Sequence, residues 1–93
     1  MAIHIELNGT KGEFKLFEKE VQAGFMRFSI DENILNIVHT EVDQAYEGKG
    51  LGKQLVMAGV EYAREHHLKI KPYCVYAKSV LERRKDELGE VLL

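Results

Sequence analysis

The stretch "AYEGKGLGKQLV" (45–56) places glycines at 48, 50 and 52, three in five positions, directly ahead of a run with helical periodicity. A plain turn needs one glycine or two, because glycine alone enters left-handed backbone without steric cost. Alternating glycines flanked by Lys49 and Lys53 describe a backbone bared for an anion. At a helix start the first N–H groups lack intrahelical partners, and the helix dipole is positive there. Glycines let a phosphate come close to those N–H groups. The physical reading is a pyrophosphate cradle, and the alternative is a turn with no ligand. Two familiar phosphate loops are excluded. A P-loop needs G-x-x-x-x-G-K-[ST], but Gln54 follows Lys53 and the glycine spacing is wrong. The dinucleotide fingerprint G-x-G-x-x-G needs a third glycine where Lys53 stands.

Upstream, the sequence reads as strands. Ile3, Ile5 and Leu7 alternate with His4, Glu6 and Asn8, a period of two. "NGTKG" (8–12) is turn chemistry. "EFKLFEK" (13–19) and "QAGFMRFSI" (22–30) follow, with Met26, Phe28 and Ile30 on one face. "DEN" (31–33) connects to "ILNIVHTEV" (34–42), a fourth strand rich in β-branched residues. Links this short predict an antiparallel meander.

Downstream, the period changes. Leu51, Leu55, Val56, Val60 and Ala63 recur at helical spacing within 51–68, while Lys53, Gln54, Glu61, Arg64 and Glu65 fall opposite. Gly59 inside this helix costs about 1 kcal/mol against alanine, so close helix–sheet packing is expected there. "LKIKPYCVYA" (68–77) reads as a fifth strand and "KSVLERRKDEL" (78–88) as a short helix ended near Gly89. Strand four, helix and strand five make a β-α-β crossover, which predicts parallel pairing. The fold class expected is α/β with a mixed sheet: a four-strand antiparallel meander, a central helix, a parallel fifth strand and a C-terminal helix.

The 93 residues make one domain, 1–93, with no repeat, low-complexity tract or linker. Hydrophobic content of 45% beside 30% charged residues marks a globular chain rather than a disordered one. A net charge of −2 gives no global field for nucleic acid or anionic membrane, so any anion site is local. One cysteine, Cys74, excludes an internal disulfide and suits a reducing cytoplasm. "MAIHIELNGT" has no signal-peptide character, and no segment approaches the roughly 20 apolar residues that span a bilayer. There is no metal-ligand spacing, neither C-x-x-C nor H-x-x-x-H.

"EVDQAYEGKGLGKQLV" (41–56) resembles the acetyl-CoA-binding segment of the GNAT superfamily of N-acetyltransferases, whose signature is [RQ]-x-x-G-x-[GA] after a strand. Gly50 and Gly52 match the two small positions, and Gly48 matches a frequent extra glycine. The resemblance covers nearly the whole chain and is closest to the very short GNAT-like proteins. It implies a minimal GNAT core with strand five splayed from strand four. It also implies that Gly48, Lys49, Gly50, Leu51, Gly52, Lys53 and Gln54 hold the pyrophosphate of acetyl-CoA or coenzyme A, as co-substrate. Glu47 departs from the pattern, standing where most GNATs carry Arg or Gln. An acid there repels phosphate unless it points away, whereas the backbone cradle does not depend on that side chain.

The resemblance further places the pantetheine arm in the gap between strands four and five, against the backbone of Glu41 and Val42. An N–H there polarises the thioester carbonyl. Transfer to an amine needs a base for the amine proton and an acid for the leaving thiolate. His39 and Glu41 share one face of strand four, Thr40 and Val42 the other. Glu41 is the better base, since many GNATs use an acid on this strand; His39 is a second candidate or an ordinary histidine. Cys74 falls where strand five should meet the thioester, as acid, nucleophile or small lining residue. The tyrosine that many GNATs place just after this strand is missing from "KSVLERR", and Tyr76 comes earlier than expected. The leading function is therefore an acetyl-CoA-dependent N-acetyltransferase acting on a primary amine of a small molecule or peptide. A CoA-binding module with little catalysis is the alternative. A nucleic-acid or partner-binding domain using Lys49, Lys53 and "ERRK" (82–85) is weakest, because basic–aromatic interleaving is absent. Acceptor and oligomeric state are not legible.

Overall fold

The computed structural model of the chain describes residues Met1–Leu93. Strands β1 (Ala2–Asn8), β2 (Lys11–Glu18), β3 (Val21–Asp31), β4 (Ile34–Val42) and β5 (Lys69–Pro72) form one sheet in that order. β1 to β4 pair antiparallel, and β5 pairs parallel to β4. Left-handed residues close the hairpins: Gly9, then Lys19, then Glu32 with Asn33. Helix α1 (Leu51–Glu65) carries the chain from β4 to β5, and α2 (Val75–Arg83) and α3 (Lys85–Leu88) follow. This is the mixed α/β sheet that the two periods predict.

The periods also predict the core. Leu51, Leu55, Val56, Val60 and Ala63 of α1 lie over Phe14, Leu16, Met26, Phe28, Leu35 and Ile37 of the sheet in one buried cluster. Buried residues of α2 and α3 (Ala77, Val80, Leu81, Leu88) join the same cluster, so the helices cover one face of the sheet. Gly59 has the expected reason: a Cβ there would come within 2.8 Å of Met26 Cε. The opposite face carries polar pairs, with Lys15 on Glu6, Arg27 on Glu13 and His39 on Glu41. No helix is long and apolar enough to cross a membrane.

Three local expectations are corrected. The strand predicted over 68–77 stops at Pro72, whose partner across the ladder is Ile37. Along β5 the N–H groups of Lys69 and Tyr73 turn to β4 and that of Ile70 turns to the outer side, so the N–H that Pro72 lacks belongs to the outer edge, where proline is tolerated. The next two N–H groups, of Tyr73 and Cys74, both donate to the Ile37 carbonyl, at 2.9 and 3.3 Å, and the chain turns off the sheet. Cys74 is consequently the N-cap of α2, and Tyr76 is helical. The helix predicted over 78–88 starts earlier, at Val75, and breaks at Arg84, whose φ of −120° and ψ of 18° are not helical. Helix α1 ends at Glu65 rather than near 68, because His67 turns left-handed with φ 58°.

One irregularity has no sequence signal. Arg27 pairs with His39 and Phe28 with Ile37, which leaves Val38 unpaired as a β-bulge. An extra residue reverses which face the following side chains take. Leu35 and Ile37 are buried under the helices before the bulge, and Thr40 and Val42 are on that side after it. His39 and Glu41 share a face as expected, but it is the open face.

Leu55 is fully buried at the centre of this packing. Leu55→Ala is expected to destabilise the fold by about 2–5 kcal/mol through lost transfer energy and the residual cavity. Urea unfolding of the two proteins measures this; a difference below about 1 kcal/mol would show that α1 does not press on the sheet here.

Candidate functional site

The chain leaves β4 through a fixed turn. The Asp43 N–H donates to the Ala23 carbonyl at 2.7 Å, and Asp43 Oδ1 accepts from the Ala45 N–H at 2.9 Å. A single 3-10 turn, Gln44–Tyr46, follows. Tyr46 packs against the core, and the Lys49 ammonium sits over its ring, 5.4 Å from the centroid. Gly48 and Gly50 then take left-handed φ values of 81° and 74°. The space beside both is open.

Gly50 is the N-cap of α1, with no side chain to cap it. The first satisfied N–H of the helix is that of Gln54, which donates to the Gly50 carbonyl at 3.2 Å. The N–H groups of Leu51, Gly52 and Lys53 are left for an external acceptor. Leu51 offers only its backbone, since its side chain is in the core. Lys53 and Gln54 are exposed on the first turn.

Gly52 serves a different purpose. A Cβ there would fall 2.7 Å from the Tyr76 hydroxyl and 2.9 Å from its ring carbons. Two glycines therefore bend the loop, and the third seats a tyrosine. This tyrosine was placed in strand five by the sequence pattern; the early start of α2 brings it to the loop instead.

Together these elements wall a cleft of about 480 Å³. The glycine loop and α1 contribute Glu47, Gly48, Gly50, Leu51 and Gly52; Tyr46 and Tyr76 stand at its sides, and Thr40 and Val42 form the β4 wall. Thr40 and Tyr46 are lining residues that the sequence did not single out; Tyr76, expected too early in strand five for the family's tyrosine, lines the cleft as well. Lys53 borders a neighbouring cavity rather than the cleft. Glu47 is exposed at the rim and is in no ion pair.

The cleft continues toward the place where the sheet parts. β4 runs on to Val42 after β5 has ended at the level of Ile37. Since the Asp43 N–H points to β3, strand alternation sends the Val42 N–H to the unpaired edge. The Glu41 carbonyl is on the β3 side, 2.7 Å from where a Cβ of Gly24 would be. Of the two backbone candidates, Val42 thus faces the gap and Glu41 does not.

Cys74 lies at the root of the gap, half-buried. Burial pushes its thiol up. The Ala77 N–H, the Thr40 hydroxyl, and the Tyr76 and Thr40 backbone outweigh that and hold it below the ordinary thiol value. Thr40 Oγ1 is buried and makes no hydrogen bond of normal geometry, so its influence on the thiol is one of proximity. His39 and Glu41 stand on the open face, with Nε2 and Oε1 3.4 Å apart and the Phe25 ring 5.8 Å from the His39 ring. They do not line the cleft and are not gathered with Cys74 in one cavity.

A profile of the family described as GCN5-related N-acetyl-transferase matches residues 13–91. Human Protein NATD1 is 32% identical over 53 residues, covering 57% of this chain and 47% of that protein. The chain spans about half the length of the curated relatives it matches. The solution structure of a GCN5-like protein from Staphylococcus aureus is 34% identical with a TM-score of 0.69, over 97% of this chain and 87% of that one. PaiA N-acetyltransferase from Thermoplasma acidophilum, crystallised in complex with coenzyme A, shares the fold at a TM-score of 0.64 and 17% identity, over 69% of this chain and 41% of that one.

The surroundings of Cys74 generate a test. A thiol whose pKa is depressed in the folded state keeps its thiolate to lower pH than the unfolded chain does. That stabilisation is present above the unfolded value and is lost as pH falls through the folded one. Alkylation of native Cys74 by iodoacetamide should therefore have its midpoint at lower pH than alkylation of the same cysteine in the denatured chain. Thr40→Val should move the midpoint upward. A native midpoint at or above the denatured one would remove the thiolate from consideration.

Proposed function

Because this chain belongs to the GCN5-related N-acetyltransferase family, matched over residues 13–91, we propose that it transfers an acetyl group from acetyl-CoA to a primary amine. The observation that carries this reading is the start of α1. Three N–H groups without partners, beside two left-handed glycines, open onto a cleft that leads to the parted strands. Such N–H groups and the dipole behind them favour a pyrophosphate. The donor set fits coenzyme A, which is also what the PaiA relative holds.

Acetyl-CoA supplies an acetyl thioester. In this reading the residues around the gap divide the work. The backbone at Gly48, Gly50, Leu51, Gly52 and Lys53 holds the phosphates, with Lys49 and Gln54 beside them. The Val42 N–H stabilises negative charge on the carbonyl oxygen. The amine approaches from the open face of the sheet, where Glu41 accepts its proton and His39 orients the Glu41 carboxylate. The Tyr76 phenol donates a proton to the leaving sulfur. Cys74, just outside the cleft lining at the start of α2, is the candidate for a covalent route, in which its sulfur takes the acetyl group first and passes it to the amine. The direct route is preferred, because no cation is paired with the thiol. The lone cysteine fits a reducing compartment, and the cytoplasm is the simplest.

A second reading, a CoA-binding module with little turnover, has one observation in its favour: the acid–base candidates Glu41 and His39 are outside the cleft lining. Acceptor-dependent thiol release separates the two readings.

Titration of acetyl-CoA into isotope-labelled protein should shift the amides of Gly48 to Gln54. Gly50→Val should weaken binding about tenfold or more, since a β-branched residue in left-handed backbone costs on the order of 1–3 kcal/mol. Millimolar acetyl-CoA that moves none of these amides would refute the reading of the site.

With an amine acceptor found, Tyr76→Phe and Glu41→Gln should each lower turnover on the order of a hundredfold while leaving CoA affinity nearly unchanged. Acetyl-CoA alone should leave no acetyl mass on Cys74. A competent acetyl-Cys74 adduct, abolished by Cys74→Ser, would establish the covalent route instead.

A further inference from the structure

The cleft is not the only concave surface at the start of α1. A second cavity of about 540 Å³ lies between the first turn of α1 and the last turns of α2. It shares Gly50 and Tyr76 with the cleft, so the two are adjacent. Its remaining walls are mainly basic: Lys53 from α1, and Arg83 and Arg84 from the end of α2, with Ser79 beside them and Glu87 as the one acid.

These cations are poorly committed. Arg83 and Lys53 take part in no ion pair, and the one ion pair of Arg84 is a 3.8 Å approach of Nη1 to Glu87 Oε2. Arg64, at the other end of α1, shows the contrast. Its guanidinium is held by Glu90 at 2.7 Å and by Glu61 at 3.2 Å. In a chain of net charge −2, three cations against one acid in a single cavity are a local concentration. Unpaired lysines and arginines on convex helix surfaces are ordinary solvated groups. Here they converge on a hollow, and the hollow adjoins a phosphate cradle.

We propose that this cavity is the subsite for the 3′-phosphate of coenzyme A, with Arg83 and Lys53 as its principal cationic contacts. The inference rests on the acetyl-CoA reading above. In coenzyme A the 3′-phosphate and the pyrophosphate hang from one ribose, so a protein that holds the second at Gly48–Lys53 has the first within a few ångströms. A phosphomonoester carries up to about two negative charges near neutral pH, and a planar guanidinium matches its oxygens two at a time. The Ser79 hydroxyl adds a donor. The "ERRK" run (82–85), which the cradle leaves unexplained, thereby acquires a role. Glu87 in the same wall opposes the phosphate.

The test compares coenzyme A with 3′-dephospho-coenzyme A by isothermal titration calorimetry. Wild type should bind coenzyme A roughly tenfold tighter or better, a difference of about 1.4 kcal/mol, and the gap should narrow as salt rises. Arg83→Gln should bring the ratio near unity by weakening coenzyme A alone. This exposed position sits in the last turn of α2, outside the core. Glu87→Gln should widen the ratio. Equal affinities in wild type, or an Arg83→Gln loss shared equally by both ligands, would overturn the subsite while leaving the cradle standing. Binding of neither ligand would overturn the acetyl-CoA reading and the subsite with it.

Discussion

The ladder between β4 and β5 ends at one carbonyl, that of Ile37, which accepts the N–H groups of both Tyr73 and Cys74. Two successive N–H groups converging on one acceptor break the alternation that a strand requires. Two consequences follow from that turn. The edge of β4 beyond Ile37 stays unpaired, which leaves the Val42 N–H facing a gap. The chain also turns early into α2, whose second residue is Tyr76.

The bulge at Val38 completes the arrangement. β4 must supply hydrophobic side chains to the core at Leu35 and Ile37, and it must then present a wall to the cleft at Thr40 and Val42. Strict alternation forbids both on one face, because these pairs are out of phase. One extra residue restores the phase. The same residue turns His39 and Glu41 outward, away from the helices. The sheet thus has a helical side with the cleft and the glycine loop, and an open side with a carboxylate and an imidazole. In the proposed reaction the two substrates meet through the gap from opposite sides.

The electrostatics are local for the same reason of scale. A chain of net charge −2 attracts no anion at long range. Its positive features are the start of α1, Lys49 held over Tyr46, and the cations at the end of α2. They lie around one entrance. Lys15, Arg27 and Arg64, by contrast, are held in surface pairs on the open face or at the far end of α1, and such pairs contribute little to stability.

The sequence alone determined the element order, the antiparallel meander, the parallel crossover and the face of α1 that enters the core. These depend on periods of two and 3.6, which each segment carries within itself. It also marked the glycine loop, because left-handed backbone at a helix entrance has a composition of its own. Tertiary structure decided what the third glycine is for, since the ring it accommodates comes from a residue 24 positions later, at Tyr76. It decided which face Glu41 takes, because a bulge is a relation between two strands and neither strand encodes it alone. It placed Cys74 at a helix cap rather than within a strand. The apolar pattern of "CVYA" suits either, and the choice was made by a carbonyl 37 residues earlier, at Ile37, accepting the Cys74 N–H.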